Sequence, residues 1–170
     1  MGVALEYRCT GCRYTFTAYS GYGMMYPAVY QETMTKARKG RLGETLRRFV
    51  REHPEGAISC EDSIICCTEC GRLHTDLSLD MYLPKGKLTA HENGPWSIAM
   101  PDGDADYVSP ADLQEYYRLT ARYPHKCKKC GAPAEIISQQ ELQSKTAEGT
   151  IVCPRCGGRL KTDGLMLRCD

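Results

Sequence analysis

The stretch "YRCTGCRYTF", residues 7–16, reads as two short strands joined by a turn that carries two cysteines. The Cys-x-x-Cys pattern returns as "CTEC" at 67–70, "CKKC" at 127–130 and "CPRC" at 153–156. Cysteines at this spacing place both sulfurs on one side of a tight turn, and two such turns supply four thiolates in a tetrahedron. Because cytosolic thiols stay reduced, paired cysteines there favour metal over disulfides. The sequence therefore predicts two metal sites.

Four pairs can combine into two sites in three ways, and spacing is the basis for choosing. The third and fourth pairs are separated by residues 131–152, close to the usual spacing of a metal-binding pair of turns. They are predicted as site 2: Cys127, Cys130, Cys153 and Cys156. The first and second pairs then form site 1: Cys9, Cys12, Cys67 and Cys70. The longer gap in site 1 is tolerable because loop-closure entropy grows only logarithmically with length.

The stretches "YRCTGCRYTF" and "CPRCGG" resemble the cysteine turns of zinc-ribbon and rubredoxin-like proteins. The first is also similar to small regulatory zinc ribbons that begin with Tyr-x-Cys-x-x-Cys and have a Phe shortly after. In those families the cysteines are the ligands, so the resemblance implies two Zn²⁺ ions on the eight cysteines named above. It covers the two ribbons, under half of the chain. A rubredoxin-like iron site for electron transfer is the alternative, but the long insertions do not fit that small single-site domain.

The predicted fold class is a small metal-stapled α+β protein with two zinc ribbons of short antiparallel strands. Residues 1–83 form the first ribbon, with a helical hairpin inserted at about 27–55. Residues 84–124 form a connector with a helix at about 110–122, which begins with Ser109 as its cap. Residues 125–170 form the second ribbon, in which a polar loop is expected after a strand that ends near residue 138.

Three cysteines remain outside the pairs: Cys60, Cys66 and Cys169. For Cys60 and Cys66 the sequence favours small buried hydrophobic side chains over ligands of a third site. His74 follows one cysteine turn and His125 precedes another. Since the cysteines already complete both sites, neither histidine is expected to bind metal.

The charge pattern offers one concentrated basic patch. The whole chain has 22 basic and 21 acidic residues and a net charge of +1. This net charge does not by itself indicate binding to nucleic acid or to a membrane surface. Residues 36–51 are locally basic, and an aromatic loop precedes them. These basic residues form either a solvated helix face or a surface that binds a partner. The candidate residues are Arg38, Lys39, Arg41, Arg47, Arg48, Arg51, Tyr22 and Tyr26.

Together these features indicate a non-enzymatic zinc-binding adaptor or regulatory protein with two structural four-cysteine sites and a protein partner. Four sulfurs leave no open position for water or substrate, and no hydrolase triad or phosphate loop stands out. Nucleic-acid binding through residues 36–51 is the alternative function. The N-terminal residues lack the apolar core of a secretory signal, and no apolar run reaches the length of a membrane span. We therefore expect a cytoplasmic protein without membrane contact.

Overall fold

The computed structural model describes residues 2–86 and 107–169. The predicted α+β class is confirmed, since four helices and three small antiparallel sheets lie within these residues. The helices are α1 (Tyr26–Arg38), α2 (Glu44–Glu52), α3 (Pro110–Tyr116) and α4 (Gln139–Ala147). The strands are β1 (Gly2–Cys9), β2 (Thr15–Ser20), β3 (Ala57–Ile58), β4 (Asp62–Cys67), β5 (Leu73–Leu77), β6 (Met81–Pro84), β7 (Tyr117–Ala121), β8 (Ala134–Ile137) and β9 (Leu160–Cys169). In this described part of the chain, no helix combines the length and the apolar character that a membrane span requires.

The chain divides into two compact units, each assembled from separated stretches of sequence. Unit 1 contains Met1–Gly23, Asp62–Leu77 and Pro124–Asp170, and unit 2 contains Met24–Glu61 and Ser78–Tyr123. This division differs from the predicted succession of ribbon, connector and ribbon with boundaries near 83 and 124. The difference arises because strands from the two ends of the sequence pair with each other in unit 1.

Unit 1 contains two three-stranded sheets of identical topology. In the first sheet β1 is central and pairs antiparallel with β2 and β9. In the second sheet β4 is central and pairs antiparallel with β5 and β8. Each sheet thus has a hairpin with a cysteine turn at its tip and a third strand that follows another cysteine turn. The unit therefore repeats one arrangement twice.

The core of unit 1 is built from both sheets and from α4. Tyr7 of β1, Ile64 of β4 and Leu142 of α4 are each 0% exposed and belong to one hydrophobic cluster. Ile64 is β-branched, a type that packs well on a pleated sheet. Cys153 lies in the same cluster, and Cys9 packs against it. The first and fourth cysteine turns therefore rest on the core, which restricts the positions of their sulfurs.

Unit 2 contains the third sheet, in the order β3-β6-β7, together with α1, α2 and α3. The predicted helical hairpin is present as α1 and α2. Pro27 lies in the first turn of α1, and Gly40 follows its end with a φ of 72°, a conformation that costs glycine little. In α2 the buried face is formed by Leu46 and Phe49. This amphipathic pattern is the one that the sequence predicts.

The helix predicted at about 110–122 is shorter than expected. Ser109 caps it as predicted, because its Oγ accepts a hydrogen bond from the Asp112 N–H at 3.1 Å. The helix ends at Tyr116, and Tyr117–Ala121 form β7, which pairs with β6. Tyr117 is buried. Pairing with β6 satisfies the backbone groups that a longer helix would have satisfied internally, so tertiary structure overrides the helical spacing of the apolar residues.

The stretch predicted as a polar loop in the second ribbon contains α4. The Ser138 Oγ accepts a hydrogen bond from the Glu141 N–H at 3.0 Å, which caps the helix. Ser followed three residues later by Glu is a recognised sign of a helix N-terminus. The prediction missed this helix because Leu142 is its one large apolar residue, so its sequence shows no amphipathic period.

Candidate metal centres

The structure gathers the eight paired cysteines into two clusters, and the grouping corrects the predicted one. The outer cluster combines the first and fourth pairs: Cys9, Cys12, Cys153 and Cys156. The inner cluster combines the second and third pairs: Cys67, Cys70, Cys127 and Cys130. The predicted site 1 and site 2 joined neighbouring pairs instead. All eight cysteines belong to unit 1.

Strand pairing is the physical reason for this grouping. β1 ends at Cys9, and the residue opposite Cys9 is Leu160, the first residue of β9. β4 ends at Cys67, and the residue opposite Cys67 is Ala134, the first residue of β8. The fourth cysteine turn directly precedes β9, and the third directly precedes β8. The two ladders therefore place each pair of turns side by side, whatever their separation in sequence.

The sulfurs of each cluster have the spacing that one tetrahedral ion needs. All ligand atoms of a cluster lie within 4.8 Å of one another. The nearest Sγ–Sγ distances are Cys9–Cys156 3.4 Å, Cys12–Cys153 3.6 Å, Cys67–Cys130 3.5 Å and Cys70–Cys127 3.7 Å. A metal–sulfur distance of about 2.3 Å gives a tetrahedron with edges of about 3.8 Å, whereas a disulfide requires about 2.05 Å. The two clusters can therefore hold metal ions, and their cysteines are free thiols.

Each of the four cysteine turns is closed by the same kind of backbone hydrogen bond. The N–H of the first cysteine donates to the carbonyl five positions later: Cys9 to Tyr14 (2.9 Å), Cys67 to Arg72 (3.0 Å), Cys127 to Ala132 (2.8 Å) and Cys153 to Gly158 (2.8 Å). Gly71, Gly131 and Gly157 follow the second cysteine of their turns with φ of 64°, 74° and 71°. Glycine adopts such positive values at little cost, because it has no Cβ.

One threonine in each cluster connects the two turns of that cluster, and its hydrogen bonds are the same in both clusters. Thr10 donates through its N–H (3.0 Å) and its Oγ1 (3.3 Å) to the Arg159 carbonyl. Thr68 donates through its N–H (3.2 Å) and its Oγ1 (2.9 Å) to the Pro133 carbonyl. Each threonine is the residue after the first cysteine of its turn. The two hydrogen bonds fix the partner turn at its exit, and the sequence prediction did not identify this role.

Backbone amides also point at the sulfurs. The donors and acceptors are Gly11 N to Cys9 Sγ (3.3 Å), Cys70 N to Cys67 Sγ (3.4 Å), Lys129 N to Cys127 Sγ (3.4 Å) and Arg155 N to Cys153 Sγ (3.4 Å). An N–H donated to sulfur favours the thiolate. Hydrogen bonds from the Cys130 and Lys129 backbone lower the pKa of Cys127 to about 6. Thiolates are the form that metal ions bind, so these amides prepare the clusters for metal.

One cysteine of each cluster has a raised pKa. A backbone hydrogen bond with Gly158 lowers the pKa of Cys156, but hydrogen bonding to Cys9 and Cys12 outweighs it and raises that pKa to about 12. A backbone hydrogen bond with Ala132 lowers the pKa of Cys130, but hydrogen bonding to Cys67 outweighs it and raises that pKa to about 12. Because cysteine binds metal as the thiolate, metal binding at these two residues would release protons.

Gly158 lies close to the outer cluster. A Cβ at this position would lie 3.1 Å from the Cys9 Sγ and 3.3 Å from the Cys156 Sγ. Both distances are shorter than ordinary van der Waals contact with sulfur. The sequence prediction did not single out Gly158, although the doubled glycine in "CPRCGG" was a signal for it.

The candidate partner-binding residues do not all lie on a surface. Six of them are exposed residues of unit 2: Arg38, Lys39, Arg41, Arg47, Arg48 and Arg51. Tyr26 is only 4% exposed and packs against Tyr30 with ring centroids 6.2 Å apart, so the prediction for Tyr26 is corrected. Its burial beside a second tyrosine explains why it is unavailable to a partner. Tyr22 is half-buried and belongs to unit 1.

The two clusters do not include Cys60, Cys66, His74 or His125. Cys60 is 3% exposed, as predicted for a small hydrophobic side chain, and burial raises its pKa to about 12. Cys66 is half-buried, with its Sγ 3.8 Å from the carbonyl of Cys67. His74 is half-buried and His125 is buried, and neither joins the clusters found among the described residues.

Comparison with known proteins gives no match: no family model fits the chain, and no curated protein or solved structure is significantly similar to it.

Proposed function

We propose that this protein is a non-enzymatic adaptor or regulatory protein whose two four-cysteine clusters hold structural Zn²⁺ ions. The observation that carries the proposal is that four sulfurs of each cluster lie within 4.8 Å of one another. Four thiolates complete a tetrahedral coordination shell and leave no position for substrate. The ions would then contribute folding free energy to unit 1 and hold its surfaces in shape.

The proposal favours zinc over iron because the expected role of the ions is structural. The outer cluster packs on the hydrophobic core of unit 1, as expected of an ion that stabilises a scaffold. Zn²⁺ suits sulfur-only tetrahedral sites and has no redox chemistry, whereas iron in the same ligand set transfers electrons. Elemental analysis of purified protein tests the choice. Two equivalents of zinc support the proposal, and a red protein with stoichiometric iron overturns it.

The structural role of the ions has its own test. Replacing Zn²⁺ with Co²⁺ should give the absorption spectrum of tetrahedral thiolate coordination at both clusters. Because a closed shell has no exchangeable ligand, azide or imidazole should leave that spectrum unchanged. A spectral shift on adding either ligand would reveal an open position and support an enzymatic role instead.

Nucleic-acid binding through residues 36–51 is the second candidate function, and the exposure of six of the seven basic side chains in this segment favours it. Part of the positive charge is already offset. Lys36 pairs with Glu32 at 2.9 Å and Arg47 with Glu44 at 3.6 Å. Arg38, Lys39, Arg41 and Arg48 have no ion pair among the described residues. Titration of labelled RNA and DNA with the protein at about 50 mM salt tests this candidate, since low salt favours phosphate contacts.

A further inference from the structure

Unit 1 carries a cleft along the line where two sheet edges meet. β2 and β5 are edge strands of different sheets, and they are bridged by Thr75. The Thr75 Oγ1 accepts from the Tyr19 N–H at 3.4 Å and donates to the Thr17 carbonyl at 3.4 Å. The cleft beside this bridge has a volume of about 730 Å³. This size falls in the range of pockets that hold small ligands.

Three aromatic residues contribute to the lining of the cleft. Tyr14 and Phe16 are half-buried and pack on the hydrophobic core of unit 1, so their positions are fixed. Tyr19 is 41% exposed. Its exposed ring offers a flat face for stacking.

Three basic side chains also line the cleft. Arg72 precedes β5, and Lys128 and Lys129 form the tip of the third cysteine turn. The two lysines are exposed, and the lining contains no aspartate or glutamate, although the Cys127 thiolate belongs to it. Lys128 is paired with Asp76 at 2.8 Å, which holds its side chain in place. Arg72 and Lys129 have no ion pair among the described residues, so their charges remain available to a ligand.

We propose that this cleft binds single-stranded nucleic acid, with bases stacked on Tyr14, Phe16 and Tyr19 and phosphates at Arg72 and Lys129. Aromatic platforms next to a positively charged groove are the combination that binds single strands without base-specific hydrogen bonds. A duplex offers no unstacked base to these rings. The site differs from residues 36–51, and the inference goes beyond the proposed adaptor role.

The backbone of the cleft argues against a peptide added as a strand. Such a peptide needs free N–H and C=O groups along a sheet edge. The Thr75 bridge already occupies the Tyr19 N–H and the Thr17 carbonyl on the facing edge of β2. An acidic peptide could pair with the basic side chains but would leave the aromatic rings without a stacking partner. The combined lining therefore favours nucleic acid.

The experiment measures fluorescence anisotropy of labelled 12-nucleotide oligo(U) and oligo(dT) with the zinc-loaded full chain at about 50 mM salt. We expect binding to at least one strand, and the stronger of the two distinguishes an RNA ligand from a DNA ligand. Tyr19→Ala should weaken the affinity by about 5- to 150-fold, the loss typical of one stacked base. The double variant Arg72→Gln, Lys129→Gln should reduce the salt slope by roughly 1.4, since each phosphate contact on a single strand contributes about 0.7.

Arg155 provides a matched control. It occupies the same place in the fourth cysteine turn that Lys129 occupies in the third, and it is exposed but does not line the cleft. Arg155→Gln should therefore retain the affinity and the salt slope of the wild type. Equal weakening by Arg155→Gln and by Lys129→Gln would overturn the site, because the binding would then be diffuse electrostatic attraction.

Three further outcomes would also overturn the inference. They are wild-type protein that binds neither strand, Tyr19→Ala protein with unchanged affinity, and competition by poly-glutamate that is stronger than competition by unlabelled strand. Zinc analysis of the same samples separates this inference from the adaptor proposal. If both zinc ions are retained but no nucleic acid binds, the cleft is not a nucleic-acid site, and the proposed structural role of the metal is unaffected. Lys129 lies on an exposed turn, so its single variant keeps the test valid if Tyr19→Ala lowers the yield of folded protein.

Discussion

The Sγ of Cys9 lies 3.4 Å from the Sγ of Cys156, although 147 positions separate the two residues in sequence. The inner cluster shows the same relation on a smaller scale, with Cys67 and Cys130 at 3.5 Å across 63 positions. The cysteine turns are therefore nested: the outer cluster joins the ends of the sequence, and the inner cluster joins turns between them. Both distances depend on strand ladders that close unit 1 around two metal-binding groups.

Paired substitutions test the nested grouping. Cys9→Ser and Cys153→Ser, alone or combined, should each cost the same single metal equivalent, because both residues belong to the outer cluster. Cys9→Ser combined with Cys67→Ser should cost both equivalents. Metal content of the purified proteins is the measurement.

The control for these variants is Cys66→Ser, which should retain two equivalents because Cys66 lies outside both clusters. If Cys9→Ser with Cys67→Ser lost only one equivalent, the two residues would share one site. That outcome would restore the grouping expected from sequence spacing alone.

The sequence contained a sign of the nested grouping. "CTGC" and "CTEC" both carry threonine after the first cysteine, and in the structure Thr10 and Thr68 perform the same task in different clusters. In the structure these two equivalent turns belong to different clusters, which contradicts the predicted site 1. The prediction relied on the spacing of the pairs, which has little energetic weight. Doubling the length of a loop adds only about 0.6 kcal/mol to the free energy of closing it, far less than the stabilising free energy that a strand ladder contributes. The long-range pairing of β1 with β9 has no local signal, so no pattern within one segment could reveal it.

Other features could be read from the sequence where the cause is local. Pro27 and Gly40 bound α1, and the three turn glycines have positive φ, because each depends on the backbone preference of one residue. The length of α3 and the burial of Tyr26 depend on neighbours that are distant in sequence. Those are the features that sequence reasoning could not determine.

Gly158→Ala should weaken metal binding at the outer cluster. The added Cβ would lie 3.1 Å from the Cys9 Sγ, so a ligand must move by a few tenths of an ångström. Crowding of this kind typically costs about 1–3 kcal/mol, or about 5- to 150-fold in affinity. Zinc release to a coloured chelator should therefore become faster for one of the two ions and stay unchanged for the other.

Gly86→Ala is the matched control for this prediction. A Cβ at Gly86 meets no atom within 4 Å, and its φ lies outside the left-handed region. Its zinc release should match the wild type. Identical release from the Gly158→Ala protein would show that the outer cluster tolerates the contact.

The Cys60 thiol should resist alkylation in the folded protein. Burial raises the pKa of Cys60 to about 12, and only the thiolate reacts at a useful rate. At pH 8, N-ethylmaleimide should leave Cys60 unmodified in the native protein and modify it in denaturant, as read by peptide mass spectrometry. Modification at equal rates in both conditions would show that Cys60 is accessible.

The same pKa shift predicts how stability depends on pH. An unfolded cysteine ionises near pH 9, whereas folded Cys60 keeps its proton up to about pH 12. Between these values the unfolded state binds fewer protons, so the free energy of unfolding should fall as the pH rises through this interval. Cys60→Ala should remove part of this fall. The comparison is clearest between pH 9 and pH 10, before unfolded tyrosines titrate, and parallel curves for the two proteins would contradict the assignment.

Reversing two charges on α2 tests whether residues 36–51 serve the fold or a ligand. The side chains of Arg47 and Arg51 are 54% and 66% exposed, and their ion pairs with Glu44 and Glu52 are long, at 3.6 Å. Exposed pairs of this kind contribute about 0–1 kcal/mol. Arg47→Glu with Arg51→Glu should therefore change the midpoint of thermal unfolding by only a few degrees and leave both metal equivalents in place.

If the cleft of unit 1 is the nucleic-acid site, strand affinity should fall far less in this variant than in Tyr19→Ala. A sharp loss of strand binding on reversal of the α2 charges, with Tyr19→Ala unaffected, would instead assign nucleic-acid binding to residues 36–51.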